Sequence, residues 1–297
     1  FPVTIPEEGW TLVQCDLSQA ELRIAAELAR ERNMIHAFVN GIDIHWLTAI
    51  REIARGGGLV DLVKDTAKKL DGSILSYSES VDLLIKAGHE VCIEANNDWK
   101  EYRKKAKAVN FGYLYGMWWK KFKSVARDDY DVIITDEEAE ASRVTFFNNY
   151  SDLEPWYRRQ KRYVRKHGYV KSLSGRKRRL PEARSDINTP ERRAAERKAI
   201  NSPVQSFANE INLMAAIQLR EEYGRSIVKI CGTVHDSVLF RVRNDMLEEV
   251  YHRMLEIMRW PDLMDTFEIE MTVPLEADGE VGPWGKGKPL DKWKEAA

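Results

Sequence analysis

With 297 residues, 43% of them apolar and 31% charged, the chain is long enough for one large or two modest domains with a real core. A formal net charge of -1 excludes a uniformly basic protein, and no run of eighteen apolar residues offers a membrane span. Cys15, Cys92 and Cys231 have neither zinc-site nor disulfide spacing, which argues for a reducing compartment.

In chain order, residues 3–6 suit a short edge segment before a Pro-Glu-Glu-Gly turn. Residues 10–15 read as the first strand. Residues 19–30 read as a helix, with Leu22, Ala25, Ala26, Leu28 and Ala29 at helical spacing. Asp43 is placed to cap a second helix through residue 54. Residues 55–98 are the least regular; a glycine break at 56–58 precedes helical stretches at 59–70 and 80–87, read as a peripheral insertion. Residues 99–119 form one long helix in pattern, although they contain Gly112 and Gly116. Each interior glycine costs about 1 kcal/mol against alanine, so something is expected to approach closely there.

Thr135 with Glu138 matches a capping box opening a helix at 136–150. A helix at 153–166 is ended by Gly168, and 169–173 with 178–180 suit a hairpin around Ser174-Gly175. A polar helix at 190–199 and an amphipathic one at 204–223 are expected, with Pro203 interrupting regular helix between them. Residues 227–234 and 238–242 suit a hairpin whose turn holds His235 and Asp236. A helix at 244–259 stops before Pro261, and 267–275 is read as a closing strand. The order predicts an α+β fold: an antiparallel sheet floor interrupted by a large helical subdomain.

Charge is unevenly spread. Residues 157–179, YRRQKRYVRKHGYVKSLSGRKRR, hold eleven Lys or Arg and no acid, while acids gather elsewhere, at 136–140 and 276–280. A near-neutral chain with such a stretch can present one strongly basic face, whose nucleic-acid affinity falls with salt. The chain starts at Phe1 rather than Met, shows no signal peptide and enters a strand almost at once. It reads as a processed product or as part of something longer, cut close to a domain.

Two acids stand out. Asp16 closes the first strand and Asp236 sits at the hairpin tip within apolar strand residues, a costly place for a charge without a partner. Two carboxylates at strand ends can share a pair of divalent metals, which is how phosphoryl transfer activates the attacking oxygen and steadies the leaving one. Arg103, Lys107, Phe111 and Tyr115 recur every four residues and line one helix face, cations first and aromatics after. Arg197, Asn201 and Gln205 share the same spacing; Asn and Gln can read minor-groove acceptors common to all base pairs.

DLSQAELR (16–23), RKKAKAVNFGYLYG (103–116) and VHDS (234–237) resemble motifs A, B and C of the family A DNA polymerases, the DNA polymerase I group. ERKAINSPVQ (196–205) and the DIH of 43–45 extend the likeness over nearly the whole chain. The resemblance implies a right-hand polymerase fold with an antiparallel palm sheet and a large helical fingers subdomain, lacking the thumb. Its parts would be palm at 1–45 with motif A, a helical segment with a family-atypical insertion at 46–98, fingers at 99–190 with motif B and the basic region, and palm again at 191–297 with motif C. The thumb, and an exonuclease domain, would belong to a separate chain or to an N-terminal region of the same precursor. The insertion could dock that missing part, bind DNA or simply pack.

The resemblance implies template-directed DNA synthesis from dNTPs on primer–template DNA, with two Mg2+ ions, or Mn2+ in their place, and no membrane partner. Asp16, Asp236 and the backbone carbonyl of Leu17 would ligate the metals. Arg103 and Lys107 would contact the triphosphate, Lys107 doubling as proton donor to pyrophosphate. Phe111 would stack by the sugar and base, Tyr115 would guard the insertion position, and His45, with Gln19 nearby, would touch the β-phosphate. Glu21 would be the wall that excludes a 2′-OH. Arg197, Asn201, Gln205 and His235 would hold the primer–template near the active site; from the charge run itself, Arg176 and Arg178 are expected on template phosphates, and Arg23 is expected to support the fold or pair with an acid.

Motif C of the family usually has an acid after its aspartate; Ser237 stands there instead, which puts an auxiliary carboxylate in doubt. A noncatalytic DNA-binding half of a split polymerase is the competing reading, and a related single-subunit RNA polymerase, disfavoured by Glu21, a third. A cytoplasmic location is expected, in a host cell if the source is viral or phage, with an organellar source also open.

Overall fold

The computed structural model describes residues 7–55, 60–234 and 236–296, so the expected edge segment at 3–6 and His235 lie outside the described residues. In chain order the elements are β1 (Trp10–Leu17), α1 (Ala20–Ala29), α2 (Arg32–Val39), α3 (Ile44–Arg55), α4 (Val60–Asp71), α5 (Tyr77–Ala87), α6 (His89–Ala95), α7 (Trp99–Leu114), α8 (Trp119–Tyr130), α9 (Asp136–Asn149) and α10 (Leu153–His167). There follow β2 (Tyr169–Lys171), β3 (Lys177–Arg179), α11 (Pro190–Tyr223), β4 (Val228–Val234), β5 (Ser237–Arg243), α12 (Leu247–Arg259), α13 (Leu263–Thr266), β6 (Ala277–Val281) and α14 (Leu290–Ala296). The chain packs as two compact units, Phe1–Ile24 with Tyr163–Ala297, and Ala25–Arg162. The breaks therefore fall after residues 24 and 162 rather than at the expected 45 and 190, and the β2–β3 hairpin packs with the sheet unit.

The sheet unit is built on an antiparallel sheet in the order β4-β5-β1-β6. β1 alternates as a half-buried strand should: Val13, Cys15 and Leu17 are buried, and Gln14 and Asp16 are only partly so. Helix α12 covers the Cys15 side, where the Tyr251 hydroxyl donates to the carbonyl of Gly279, the residue opposite Cys15. Sequestered there, the Cys15 thiol is pushed far up by burial, with the nearby charges of Asp16 and Asp278 adding to it. The side bearing Gln14 and Asp16 is left to polar chemistry.

Two expectations fail in this unit. Residues 267–275 form no strand; the closing strand is β6, and Pro274 lies in the irregular approach to it. Its sequence, ADGEV, is poor in strand formers, and the ladder forms because β1 offers an open edge. Nor does Pro203 divide the helices, for α11 runs unbroken through it. An interior proline costs about 3 kcal/mol, set here against burial of Ile200, Pro203, Val204, Phe207 and Ile211 along the same face.

Two clusters stand out among the described residues of the helical unit. In one, Trp46 of α3 and Trp99 of α7 meet edge to face at 4.9 Å, surrounded by Ile50, Leu62, Val63, Leu84 and Cys92. Both indole N–H groups are satisfied, by the Leu84 carbonyl at 2.9 Å and the Thr66 hydroxyl at 2.8 Å. The segment read as a peripheral insertion thus supplies core; it also contains α6, which no periodicity announced. In the other cluster, Tyr113 stacks with Phe122, Phe146 and Phe147, and its hydroxyl donates to the Ala139 carbonyl.

The long helix expected over 99–119 is in fact two. α7 ends at Leu114 and α8 begins at Trp119. Gly116 lies outside the helix with φ +70°, so it is needed to reverse the chain rather than to admit a neighbour. Gly112 is the close-approach residue: a Cβ there would meet the Phe122 ring at 2.5 Å. Gly112→Ala should therefore be destabilising despite alanine's higher helix propensity, by about 1–3 kcal/mol for overpacking a buried site. Urea unfolding would read the loss, and pairing the change with Phe122→Leu should recover part of it.

Candidate active site

Both neighbours of β1 bring polar groups to Asp16. It lies directly opposite Ser237 of β5 on one side and Asp278 of β6 on the other. The Leu17 amide donates to the Asp236 carbonyl at 3.4 Å, which ties the end of β1 to the turn carrying Asp236. Two acids 220 positions apart are thus drawn to one end of the sheet. Glu280 stands two pairs further along, opposite Gln14.

This crowding marks Asp16. Burial first, then the charges of Asp236, Asp278 and Glu280, push its carboxyl up to about 6. Asp278 and Glu280 went unrecognised in the sequence because 276–280 read as acids placed elsewhere. The signal was available in their alternation, A-D-G-E-V, with Ala277, Gly279 and Val281 inward.

The turn after Asp16 is held from several sides. The Ser18 amide donates to the Glu276 carbonyl, and the Ser18 hydroxyl bonds Asp278. Arg23, almost fully buried, reaches back with Nε to the Ser18 carbonyl and with Nη1 to the Pro274 carbonyl, the supporting role its sequence context implied. Gln19 adopts φ +55°, an uncommon conformation for a side chain with a Cβ, and its Oε1 is buried without a hydrogen-bond partner among the described residues. Ser237 is buried, and its hydroxyl donates to the Val234 carbonyl at 2.8 Å, so its proton is committed to closing the turn.

Along α11, Arg197 and Gln205 are exposed and Asn201 is half-buried, with its Oδ1 unpartnered among the described residues. Gln205 donates to Glu21 at 3.4 Å, bringing two of the sequence-selected residues together. Arg178, on β3, is exposed, as is Arg176 in the turn before it. The hairpin is fixed by buried Glu210, which accepts from Ser172, Ser174 and Ser206 and lies 3.9 Å from Arg176.

The helical unit holds the other selected residues. Arg103 pairs with Asp43 at 2.6 Å, and Asp43 also caps α3 by accepting from the Trp46 amide. The Arg103 Nε is buried without a partner among the described residues. Lys107 is exposed, Phe111 is half-buried with its ring 5.5 Å from His45, and Tyr115 caps the end of α7. His45 is buried and accepts at Nδ1 from Asn110.

A family model described as DNA polymerase family A matches residues 3–55 and 74–286. The chain belongs to this polymerase family. Among its relatives, the thermostable DNA polymerase I of Thermus aquaticus is 30% identical over 280 residues, covering 94% of this chain and 27% of that protein. DNA polymerase I of Deinococcus radiodurans is 30% identical over 279 residues, covering 94% and 24%. A solved structure, the POL domain of Pol1 from M. smegmatis in complex with DNA primer–template and dNTP, matches with a TM-score of 0.66 and 26% identity over 93% of this chain and 40% of that one. The chain therefore spans about a quarter of the length of these curated polymerases. The family match omits 56–73, so the atypical stretch is narrower than the expected 55–98 and centres on α4.

Family A polymerases use divalent metal ions. Among the described residues no three His, Cys, Asp or Glu side chains form a complete metal cage, and no helix is long and apolar enough to cross a membrane. A hard cation that takes one or two carboxylates and completes its shell from phosphates needs no cage. The carboxylates of Asp236, Asp278 and Glu280 around Asp16, whose own carboxyl is raised first by burial and then by their charge, are hard oxygen donors that fit such an ion.

Without metal, that burial and repulsion weigh on the fold. Between about pH 4 and pH 6 the unfolded chain releases the Asp16 proton while the folded chain retains it, so stability falls as pH rises through that window and stays lower above it. Asp16→Asn should therefore match the parent near pH 4 and exceed it by about 1 kcal/mol above pH 6, a value reduced by partial exposure. Thermal unfolding in chelator at both pH values checks this.

Proposed function

We propose that the chain is the nucleotidyl-transfer part of a DNA-directed DNA polymerase, joining a dNTP to a primer 3′-OH on template DNA with release of pyrophosphate. The observation that carries the reading is the joining of β1 to the Asp236 turn, which sets Asp16 beside Asp236 at the sheet end. Asp16, Asp236 and the Leu17 carbonyl are the groups assigned to hold two Mg2+ ions. When bound, the metal supplies Lewis-acid activation of the attacking hydroxyl and neutralises charge on the departing pyrophosphate.

The chain's own residues do the rest. Arg103, oriented by Asp43, has donors left over for phosphate oxygens, since a guanidinium carries five N–H groups and the ion pair engages one end. Lys107 is the exposed cation one turn further along α7 and the assigned proton donor to the leaving group. Phe111 and Tyr115 continue the same face toward sugar and base. Glu21, held by Gln205, is assigned the wall against a 2′-OH. Arg197, Asn201 and Gln205, spaced along one helix, fit the minor groove of a duplex without choosing a sequence. Arg176, Lys177, Arg178 and Arg179 are exposed and fit backbone phosphates. A thumb and an exonuclease would come from elsewhere in a longer precursor or from a separate chain, and the working place is the cytoplasm.

Primer extension with Mg2+ tests the reading. Asp236→Ala should lower the single-turnover rate by on the order of 1,000-fold, the scale on which phosphoryl transfer responds to losing a charge-stabilising group, while DNA binding persists. Equal extension by the variant would defeat the catalytic assignment and leave the DNA-binding reading.

A second measurement addresses the hairpin. Arg178→Ala should weaken binding to all duplex sequences alike and reduce the slope of log affinity against log salt by about 0.9. Fluorescence anisotropy across a salt series would read it, and an unchanged slope would remove Arg178 from the phosphate track.

A further inference from the structure

Behind His45 lies a run of buried hydroxyl and amide groups that phosphate binding alone does not explain. Tyr150, which caps the end of α9, Thr48 of α3 and Asn110 of α7 are all fully buried, as is His45 to 3% exposure. The Tyr150 and Thr48 hydroxyls are 2.8 Å apart, Thr48 Oγ1 donates to Asn110 Oδ1 at 2.9 Å, and Asn110 Nδ2 lies 2.9 Å from His45 Nδ1. Nδ2 also faces the Ile44 carbonyl at 3.4 Å.

The donor inventory fixes the direction of the whole run. A carbonyl only accepts, so the Asn110 atom shared by the Ile44 carbonyl and His45 is the NH2 group. Its second hydrogen then points at Nδ1, which must be bare. Asn110 Oδ1 only accepts, so Thr48 spends its single proton there and Tyr150 must donate to Thr48. Every member has one role, and the run ends by leaving the imidazole's proton on Nε2.

The geometry points to Asn110 as a positioning residue that holds His45 in the neutral Nε2–H form, so that it meets a nucleotide phosphate as an uncharged hydrogen-bond donor. This rests on the reading that His45 faces a phosphate. Protonating His45 would set an N–H against the Asn110 NH2 group inside the fold, where neither donor would find an acceptor. The charged and titratable groups around the ring are Asp43, Arg103, Lys107 and His89. Burial first, opposed by Asp43 and assisted by Arg103, Lys107 and His89, holds the imidazole down at about 4. The donor is therefore present unchanged across the range in which a polymerase would work.

The test is 15N–1H correlation spectroscopy of the 297-residue chain labelled at histidine, from pH 5 to pH 8. His45 should show a bare Nδ1 and a protonated Nε2 throughout, with no titration. Asn110→Asp replaces the donor by an acceptor, so the same ring should take up a proton at Nδ1 and titrate within that range. Affinity for α,β-imido dTTP with Mg2+, flat in the parent once the analogue's own ionisation is matched, should become several-fold tighter at low pH in the variant.

A parent ring protonated at Nδ1, or charged at pH 7, would overturn the inference without any variant being made. His45→Ala separates the two claims. If it leaves analogue affinity unchanged while the parent spectrum shows Nε2–H, the phosphate contact fails and the tautomer assignment holds; if affinity drops but the ring carries Nδ1–H, the reverse is true.

Discussion

Strand β1 is hydrogen-bonded on both edges, and that constraint organises the sheet unit. With β5 on one side and β6 on the other, the end of β1 has no freedom to move Asp16 away from the acids its neighbours carry. Left to itself, an aspartate surrounded by like charge would turn toward water. Here the turn that follows is held by the Ser18 amide and hydroxyl and by both ends of the Arg23 guanidinium. The fold tolerates concentrated negative charge because these contacts leave the carboxylate no other place. Burial and like charge hold this carboxyl above its ordinary range, and a bound cation relieves such repulsion wherever it occurs.

Helix α7 solves a different problem. Its outward stripe carries cations and then aromatics, of which Lys107 is exposed and Arg103 and Phe111 are half-buried, while its inward side supplies Asn110, Gly112 and Tyr113. Gly112 lets Phe122 close against the helix, and Tyr113 anchors α9 through its hydroxyl. The side chains offered to solvent are thus backed by a rigid aromatic layer. Arg103 is further steadied by Asp43, which serves at once as helix cap and counter-ion. A face built in this way has little conformational freedom left to lose.

Much of this was legible in the residues. The strand ending at Asp16, the hairpin bearing Asp236, the capping box at Thr135 and the four-residue periodicity from Arg103 to Tyr115 are local signals, and local signals survive in sequence. What was not legible depended on distant partners. α2 is capped by Glu31, an unusual cap residue, because Glu31 also accepts from the Asp152 amide far along the chain. β6 has the composition of a loop and becomes a strand only because β1 leaves an edge to fill. Conversely, 267–275 has strand-like alternation, and its Ile269, Val273 and Leu275 are buried without any ladder. Pro203 misled for a related reason, since burial along α11 outweighs a missing backbone donor.

The stretch that departs from the family pattern is also part of the core. α4 gives Leu62, Val63 and Ala67 to the Trp46–Trp99 cluster, and Thr66 takes the Trp99 indole proton. An ornament on the surface could be gained or lost with little consequence. Excising this one would strand a buried donor and open a void beside two large rings. The segment and the pair of tryptophans are therefore one packing unit: removal of the segment is expected to require replacement of the tryptophans.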